Sequence, residues 1–261
     1  MNPMVSIIIP CYNSETTLED TLVSVFNQNF QDWEVIMVND GSPDNLEEVA
    51  LKWTNKDKRF KYYKKENGGL GSARNYGIQK AKGNYILPLD SDNKIRPDFV
   101  KKAIIVFEKD NSIGVVYGNA MRFGDVNEEW IIGDFDAFKM LSHNYIDACA
   151  LFRKSLLETI GGYEESLPHQ GHEDWELWLR VMKTRYKFYY LNETTFDYRV
   201  LENSMINSFN KEMINLNVAY IKNKHSDLYI KYYTNLYKQY VNEKEKRKPS
   251  LIKKIVTKLF S

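Results

Sequence analysis

Two carboxylates separated by a single residue, Asp90 and Asp92, follow the apolar run 85–89. This run predicts a β-strand, and strand alternation would point both side chains to one face, roughly 6–7 Å apart along the chain. Two oxygen ligands at the end of a strand suit a divalent cation that keeps several waters and binds phosphate. The spacing therefore indicates a site for a nucleoside diphosphate, although Asp-Ser-Asp-Asn is also an ordinary turn sequence.

Two other predicted strands also end in polar residues. The run 5–10 is followed by Cys11-Tyr12-Asn13, and the run 34–38 is followed by Asn39-Asp40-Gly41-Ser42. Both runs are rich in β-branched residues, as expected for strands covered on both faces. Helical patterns separate these strands, and such alternation predicts a mostly parallel sheet flanked by helices. Ligands bind at the carboxyl ends of the strands in such sheets, so we expect the three polar segments to share one rim.

Hydrophobic periodicity, capping residues and glycines predict the remaining helices and strands. Ser14 is expected to cap a first helix, whose apolar face comprises Leu18, Leu22, Val25 and Phe26. Glycines at 68, 69 and 71 precede a helix that reaches about Ala81. Later strands are predicted at 60–63, 114–117, 129–132, 147–152 and 187–191, and later helices from Lys154 and from His172. Beyond Asn203 the pattern is helical and rich in tyrosine.

The charge of the chain is unevenly distributed. Residues 201–261 carry 12 Lys and Arg against five Asp and Glu, whereas residues 1–200 carry 24 against 30. The acidic body disfavours nucleic-acid binding, and the basic tail suggests an anionic partner. The segment 251–260 has the pattern of a short basic amphipathic helix. One apolar stripe cannot distinguish a membrane surface from a protein partner, so we keep both for residues 244–261.

Neither cysteine has a neighbour at metal-ligand or redox spacing, so Cys11 and Cys149 are expected to be small buried side chains. The N-terminus lacks the pattern of a signal peptide, and no run approaches the roughly 20 apolar residues that span a bilayer. We therefore expect a cytoplasmic protein, with peripheral binding to the cytoplasmic face of the membrane as an extension of that expectation.

Together these segments resemble the family 2 glycosyltransferases, inverting enzymes built on one nucleotide-binding α/β domain, the A-type glycosyltransferase fold. The resemblance covers about residues 4–200 and follows the family's order. Its matching segments are 5–13, 38–42, 68–77, 89–92 and Glu173-Asp174. It implies a catalytic domain at 1–204, with a nucleotide-binding half to about 115 and an acceptor half from 116, followed by a helical extension at 205–261.

The resemblance implies roles for the acidic residues. By position Asp174 resembles the catalytic base, with Glu173 beside it, and its place in the first turn of a helix favours the ionised carboxylate. Asp92 would bind Mn²⁺ or Mg²⁺ between the two phosphates of the donor, as a Lewis acid for the leaving group. Asp90 would contact the ribose or the metal.

It also implies a nucleotide site. Asp40 would hydrogen-bond the base, commonly uracil, between Pro10 and Tyr12, and Arg74 would lie near the diphosphate. The remaining candidates for nucleotide contact are Asn13, Glu15, Gly71 and Ser91. His169 and His172 flank the loop before Asp174 and are more typical of polar surface than of metal ligands. Tyr198 and Arg199 could reach the diphosphate from the far side of the site.

The implied function is transfer of a sugar, from a UDP-sugar in the commonest case, to a glycan or lipid-linked acceptor of cell-surface polysaccharide or lipopolysaccharide. Two alternatives remain: a non-catalytic module that binds a nucleotide-sugar or glycan, and a sugar nucleotidyltransferase. The second would place a glycine-rich loop after the first strand, where this chain has Cys11-Tyr12-Asn13. A dinucleotide-binding Gly-x-Gly-x-x-Gly is also absent there. The sugar, the acceptor, the linkage and the oligomeric state, including a homo-oligomer, stay open.

Overall fold

A computed structural model describes residues 2–201 and 210–247. Within these ranges the chain forms a nine-stranded sheet flanked by helices. The strands are β1 (Val5–Cys11), β2 (Trp33–Asp40), β3 (Phe60–Lys65), β4 (Tyr85–Pro88), β5 (Lys94–Ile95), β6 (Ile113–Gly124), β7 (Glu128–Trp130), β8 (Leu151–Arg153) and β9 (Lys187–Val200). The helices are α1 (Leu18–Phe26), α2 (Leu46–Lys56), α3 (Leu70–Lys80), α4 (Phe99–Lys109), α5 (Ala137–Ser142), α6 (Lys154–Ile160), α7 (Glu173–Val181), α8 (Lys211–Lys224) and α9 (Ser226–Arg247).

The strand order is β3-β2-β1-β4-β8-β6-β9-β5, with β7 paired to β6. The first four strands of this order are parallel, as predicted. β8 then pairs antiparallel with both β4 and β6, and the long β6 and β9 run parallel to each other. The mostly parallel α/β architecture is therefore confirmed. Because β1, β2 and β4 are neighbours in register, their carboxyl ends lie at one rim.

The first half of the sheet is covered on both faces. Every residue of β1 and β2 is buried, which explains the continuous apolar runs in the sequence. Gly77 brings α3 close to the sheet, since a Cβ at this position would lie 2.3 Å from Cγ2 of Ile8. Cys11 and Cys149 are buried, as expected, and burial raises the pKa of both thiols.

Several local predictions need correction. Phe26 is 36% exposed rather than part of the buried face of α1. The side chain of Ser14 does not cap that helix; the Ser14 carbonyl accepts the amides of Thr17 and Leu18 instead. The strand predicted at 147–152 is confined to Leu151–Arg153. The strands β6 and β9 extend beyond their apolar runs into segments that also carry polar residues, such as Arg122 in β6 and Asp197 in β9.

The chain divides into two compact units, residues 1–220 and 221–261. The second unit contains α9, which exposes tyrosines at 233, 237 and 240. No helix within 2–201 or 210–247 is both long and apolar enough to cross a bilayer. The boundary predicted at 204 and the amphipathic segment predicted at 251–260 lie outside the described residues.

Candidate active site

A cavity of about 860 Å³ opens at the carboxyl ends of β1, β2 and β4. Seven of the residues predicted for nucleotide or metal binding line it: Pro10, Tyr12, Asn13, Asp40, Asp90, Ser91 and Asp92. The three polar strand ends therefore converge as the topology predicted. On another side the cavity is lined by His169, Gln170, Leu201 and Met213.

The loop after β1 presents an aromatic ring to this cavity. Tyr12 is 50% exposed and lines the cavity, so its ring is available to stack on a ligand. Asn13 has a φ of +52°, and its amide donates to Oγ of Ser42 at 2.8 Å. This bond ties the loops after β1 and β2 together and orients the Tyr12 side of the rim.

Asp40, at the end of β2, organises the glycine turn before α3. Its Oδ1 accepts from Nζ of Lys65 at 2.6 Å and from the amide of Gly68 at 3.0 Å, and its Oδ2 accepts from the amide of Gly69 at 2.8 Å. Gly69 has a φ of +86°, a conformation that disfavours any residue with a Cβ. A carboxylate has about four acceptor positions, so Asp40 retains capacity for a ligand.

Asp90 and Asp92 belong to a turn and not to a strand, which corrects the geometry expected from the sequence. β4 ends at Pro88, and the amide of Asn93 donates to the carbonyl of Asp90 at 3.1 Å. The turn is fixed from outside by Oγ1 of Thr17, which donates to the Ser91 carbonyl at 3.0 Å. Both carboxylates nevertheless lie at the cavity.

The buried guanidinium of Arg74 joins this turn to the start of α7. Its Nη2 lies 2.6 Å from Oδ1 of Asp90, and its Nη1 lies 2.7 Å from Oε1 of Glu173. The side chain is only 1% exposed and also lies over the ring of Tyr163. Burial alone would lower the pKa of Arg74, but the charges of Asp90, Tyr163 and Glu173 raise it well above its ordinary value.

Asp174 lies in the first turn of α7, directly after Glu173. Its Oδ2 accepts from Nδ2 of Asn144 at 2.7 Å, and its Oδ1 accepts from the amide of Trp175 at 2.7 Å. Burial and the neighbouring charge of Glu173 raise the pKa of Asp174, while Arg74 opposes that shift. A carboxylate with a raised pKa, oriented by two donors, is suited to accept a proton near neutral pH.

Three predicted nucleotide contacts do not line the cavity. Glu15 accepts from the amide of Asn45 at 3.2 Å, ahead of α2. Gly71 lies against the backbone of Glu164, in the loop between α6 and α7. A Cβ at Gly71 would be 2.9 Å from the carbonyl oxygen of Glu164. Arg74 contacts the cavity lining through Asp90. Nucleotide contact by Glu15, Gly71 or Arg74 stays a prediction.

Sequence reasoning missed two residues near these carboxylates, Asn144 and Asp147, and the role of a third, Arg199. Asn144 holds Asp174 but lies in a loop without periodic signal. Asp147 lies in the loop before β8 and not in the predicted strand. Burial and the charge of Asp90 raise its pKa, and Asp174 adds to that shift. Arg199, considered only as a diphosphate contact, donates from Nε to the Asp92 carbonyl at 2.9 Å and so fixes the turn from behind.

The residues present fit a divalent cation. Burial and the charge of Asp90 raise the pKa of Asp92 to about 6, so a cation at this carboxylate would offset an unfavourable negative charge. No side chain within 2–201 or 210–247 donates a hydrogen bond to the Asp92 carboxylate. No group of three or more His, Cys, Asp or Glu within those ranges is arranged to hold a metal. A cation there would take one or two carboxylates and complete its shell with phosphate and water.

Comparison with known proteins finds a matching family and several relatives. The family model described as "Glycosyl transferase family 2" matches residues 6–161. An uncharacterised glycosyltransferase of Rickettsia typhi is 34% identical over 218 residues, which is 78% of this chain and 64% of the relative. Glycosyltransferase GlyA of Streptococcus pneumoniae is 29% identical over 77% of this chain and 31% of its own length. The chain thus spans less than two thirds of the length of these relatives.

Two solved structures share the fold. TarS 1–349 of S. aureus, in complex with UDP-GlcNAc, has a TM-score of 0.68 at 20% identity, over 85% of this chain and 66% of that one. The mannosyltransferase PcManGT of Pyrobaculum calidifontis, in complex with GDP-Man and Mn²⁺, has a TM-score of 0.59 at 19% identity, over 78% and 59%. At these identities the likeness establishes the A-type glycosyltransferase fold alone.

Proposed function

Because the chain belongs to glycosyltransferase family 2, we propose that it is an inverting, metal-dependent enzyme that moves a sugar from a UDP-sugar to a glycan or lipid-linked acceptor. One observation carries this proposal. The cavity at the strand ends is joined through Arg74 to the helix start that bears Asp174. A donor site and a base are thereby held in one buried network.

In this proposal the nucleotide occupies the cavity lined by the first two strand ends. Tyr12 stacks on the base, and Pro10 packs beside it. Asp40 accepts a hydrogen bond from the base at the acceptor position that Lys65 and the amides of the glycine turn do not use. TarS and PcManGT were solved in complex with UDP-GlcNAc and with GDP-Man, respectively. We favour UDP, and the identity of the base is an outcome of the test below.

Asp92, with Asp90 beside it, would hold the divalent cation. When bound, the cation supplies Lewis-acid stabilisation to the departing diphosphate. The choice between Mn²⁺ and Mg²⁺ is open, and the Mn²⁺ complex of PcManGT makes Mn²⁺ the first to try. Arg74, whose guanidinium is charged near neutral pH, holds Asp90 in place while the charge of the leaving group develops.

Asp174 acts as the base in this mechanism. Its ionised carboxylate takes the proton of the acceptor hydroxyl, whose oxygen forms a bond to the anomeric carbon as the bond to the diphosphate oxygen breaks. One in-line displacement inverts the anomeric centre. Asn144 and the Trp175 amide hold the carboxylate in a fixed orientation, so that its position is set before the acceptor binds.

We also propose that the reaction serves cell-surface polysaccharide or lipopolysaccharide synthesis at the cytoplasmic face of the membrane. The support is the basic composition of residues 201–261, which suits an anionic surface. Removal of the residues after Pro249 should then weaken binding to anionic liposomes. Unchanged liposome binding would contradict the membrane proposal and leave a protein partner or a homo-oligomer.

The function is tested first by calorimetric titration of UDP with and without Mn²⁺, on the wild type and on Asp92→Ala. We expect binding that requires Mn²⁺ and is lost in the variant. Asp32→Ala is the matched control, because Asp32 is exposed and precedes β2 at the end opposite to Asp40. Mn²⁺-dependent binding justifies a screen of UDP-sugars and acceptors. Binding without turnover of any donor would favour a non-catalytic module, and no binding of UDP, GDP or dTDP would contradict the proposal.

A further inference from the structure

Asn217 is a fully buried polar residue on α8, outside the range that the family model matches. Three hydrogen bonds of its side-chain amide are made with the backbone of the loop before α7. Oδ1 accepts from the amide of His169 at 2.9 Å, and Nδ2 donates to the carbonyls of His169 and Gly171, both at 3.0 Å. A buried side chain whose partners are all in one loop holds that loop in place.

The partners also fix how the amide is oriented. A backbone N–H can only donate and a backbone carbonyl can only accept, so exchanging Oδ1 and Nδ2 would place like groups against each other at all three contacts. Asn217 therefore specifies one conformation of the loop and not merely its approximate position. Nδ1 of His172 lies 3.4 Å from Nδ2, next to this network.

The loop held by Asn217 connects the two parts of the candidate site. His169 and Gln170 line the donor cavity, and the side chain of Gln170 lies 3.1 Å from a Cβ built on Gly69. At its other end the loop passes through Gly171 and His172, both with positive φ, into the first turn of α7. The conformation of residues 169–172 therefore sets where α7 begins, and with it the positions of Glu173 and Asp174.

The same helix contributes to the cavity directly. Met213 lies one helical turn before Asn217 and is part of the cavity lining. Asn210 accepts the amide of Met213 at 2.9 Å and so fixes the start of α8. The helix thus contacts the donor cavity with one residue and the loop before α7 with another.

We propose that Asn217 is a positioning residue of the reaction, through which α8 holds the 169–171 loop so that His169 and Gln170 meet the donor and α7 presents Asp174. This inference rests on the proposed function. It makes the part of α8 that carries Met213 and Asn217 belong to the catalytic unit, although α8 follows the family's matched range. A purely structural Asn217 would affect stability alone, and the two roles differ in what the folded protein binds.

The experiment compares Asn217→Ala, Asn217→Asp and Asn215→Ala in the full chain. Asn217→Asp keeps the volume and one acceptor but places an oxygen against the carbonyls of His169 and Gly171, so it removes both donated hydrogen bonds without leaving a cavity. Asn215 is exposed on the same helix and is the matched control. The measurements are the thermal midpoint, UDP affinity in the presence of Mn²⁺ by calorimetry, and the pH profile of kcat for donor hydrolysis by water.

We expect UDP affinity to fall about tenfold in both Asn217 variants at a temperature where they are folded, because a competent loop populated one tenth as often weakens apparent affinity by that factor. The pH profile should shift as well, and Asn215→Ala should match the wild type in both. A lower thermal midpoint in the Asn217 variants, with UDP affinity and the pH profile of kcat unchanged, would overturn the positioning role.

Two further outcomes separate this inference from the proposed function. A wild type that binds no nucleoside diphosphate would overturn the function, and this inference with it. A wild type that binds UDP while its His169 amide exchanges hydrogen as fast as an exposed amide would overturn the inference alone. That second measurement needs no variant.

Discussion

The side chains of Arg74 and Glu173 form a buried ion pair, with 2.7 Å between Nη1 and Oε1. The pair joins α3 to α7, two helices that are far apart in the sequence. Because the second amino group of Arg74 binds Asp90, any movement of α7 is transmitted to the turn that carries Asp92. The geometry of the proposed base and that of the proposed metal ligand therefore depend on one guanidinium.

We expect Arg74→Ala to destabilise the protein by about 3–5 kcal/mol, since it leaves the Glu173 carboxylate buried without its partner. Chemical denaturation of the folded chain at neutral pH measures this change. Replacement of the exposed Lys52 by alanine removes a charge from α2 and should cost less than about 0.5 kcal/mol. A loss below about 1 kcal/mol for Arg74→Ala would show that solvent reaches Glu173.

Asp174→Asn should lower the rate of transfer by about 10²–10⁴-fold, the usual contribution of a general base. UDP affinity should stay within about twofold of the wild type, because Asp174 does not line the donor cavity. Initial rates and calorimetry on the same preparation separate the two effects. Asp32→Asn provides the control, and substantial turnover by Asp174→Asn would place the base elsewhere.

Glu173→Gln should move the ascending limb of the kcat profile to lower pH. The base works ionised, so activity is present above the pKa of Asp174 and is lost as pH falls through it. The charge of Glu173 raises the pKa of Asp174, and the charge of Arg74 lowers it. Removing the charge of Glu173 therefore lowers this pKa directly, and it also lowers it by leaving the charge of Arg74 less neutralised. Glu108→Gln, on the exposed face of α4, should leave the profile unchanged. A limb that moves to higher pH would contradict the assignment.

Gly77→Ala should destabilise the protein by about 1–3 kcal/mol through overpacking, although alanine favours a helix by about 1 kcal/mol. The new methyl would lie 2.3 Å from Cγ2 of Ile8, which is buried in β1. Urea denaturation measures the change, and Gln79→Ala, exposed on the same helix, is expected to be neutral. Unchanged or increased stability would mean that α3 shifts away from the sheet at little cost.

The sequence was sufficient to predict the fold because its signals are local. Buried parallel strands need continuous apolar runs, and polar residues after β1, β2 and β4 meet at one rim whenever these strands are neighbours. The predicted geometry of Asp90 and Asp92 was wrong in detail. Pro88 ends β4, and a serine and two aspartates that follow favour a turn over continued strand alternation.

Residues that act by holding others were the ones missed. Asn144 and Asn217 are single asparagines whose partners lie 30 and 48 residues away. No periodicity or motif marks such contacts, because they depend on how a loop closes against a helix. Arg74 belongs to the matching segment 68–77, which predicted a place near the diphosphate. Its burial between Asp90 and Glu173 follows only from the packing of α3 beside α7.

The burial of Cys11 and Cys149 has a practical consequence. These are the two cysteines of the chain, and both thiols are shielded from solvent with a raised pKa, so neither offers a thiolate to a maleimide. A cysteine introduced at an exposed position, such as Asn215→Cys, would then be labelled selectively in the otherwise native protein. A fluorophore attached there would sit on the outer face of α8 and report on that helix as donor is added.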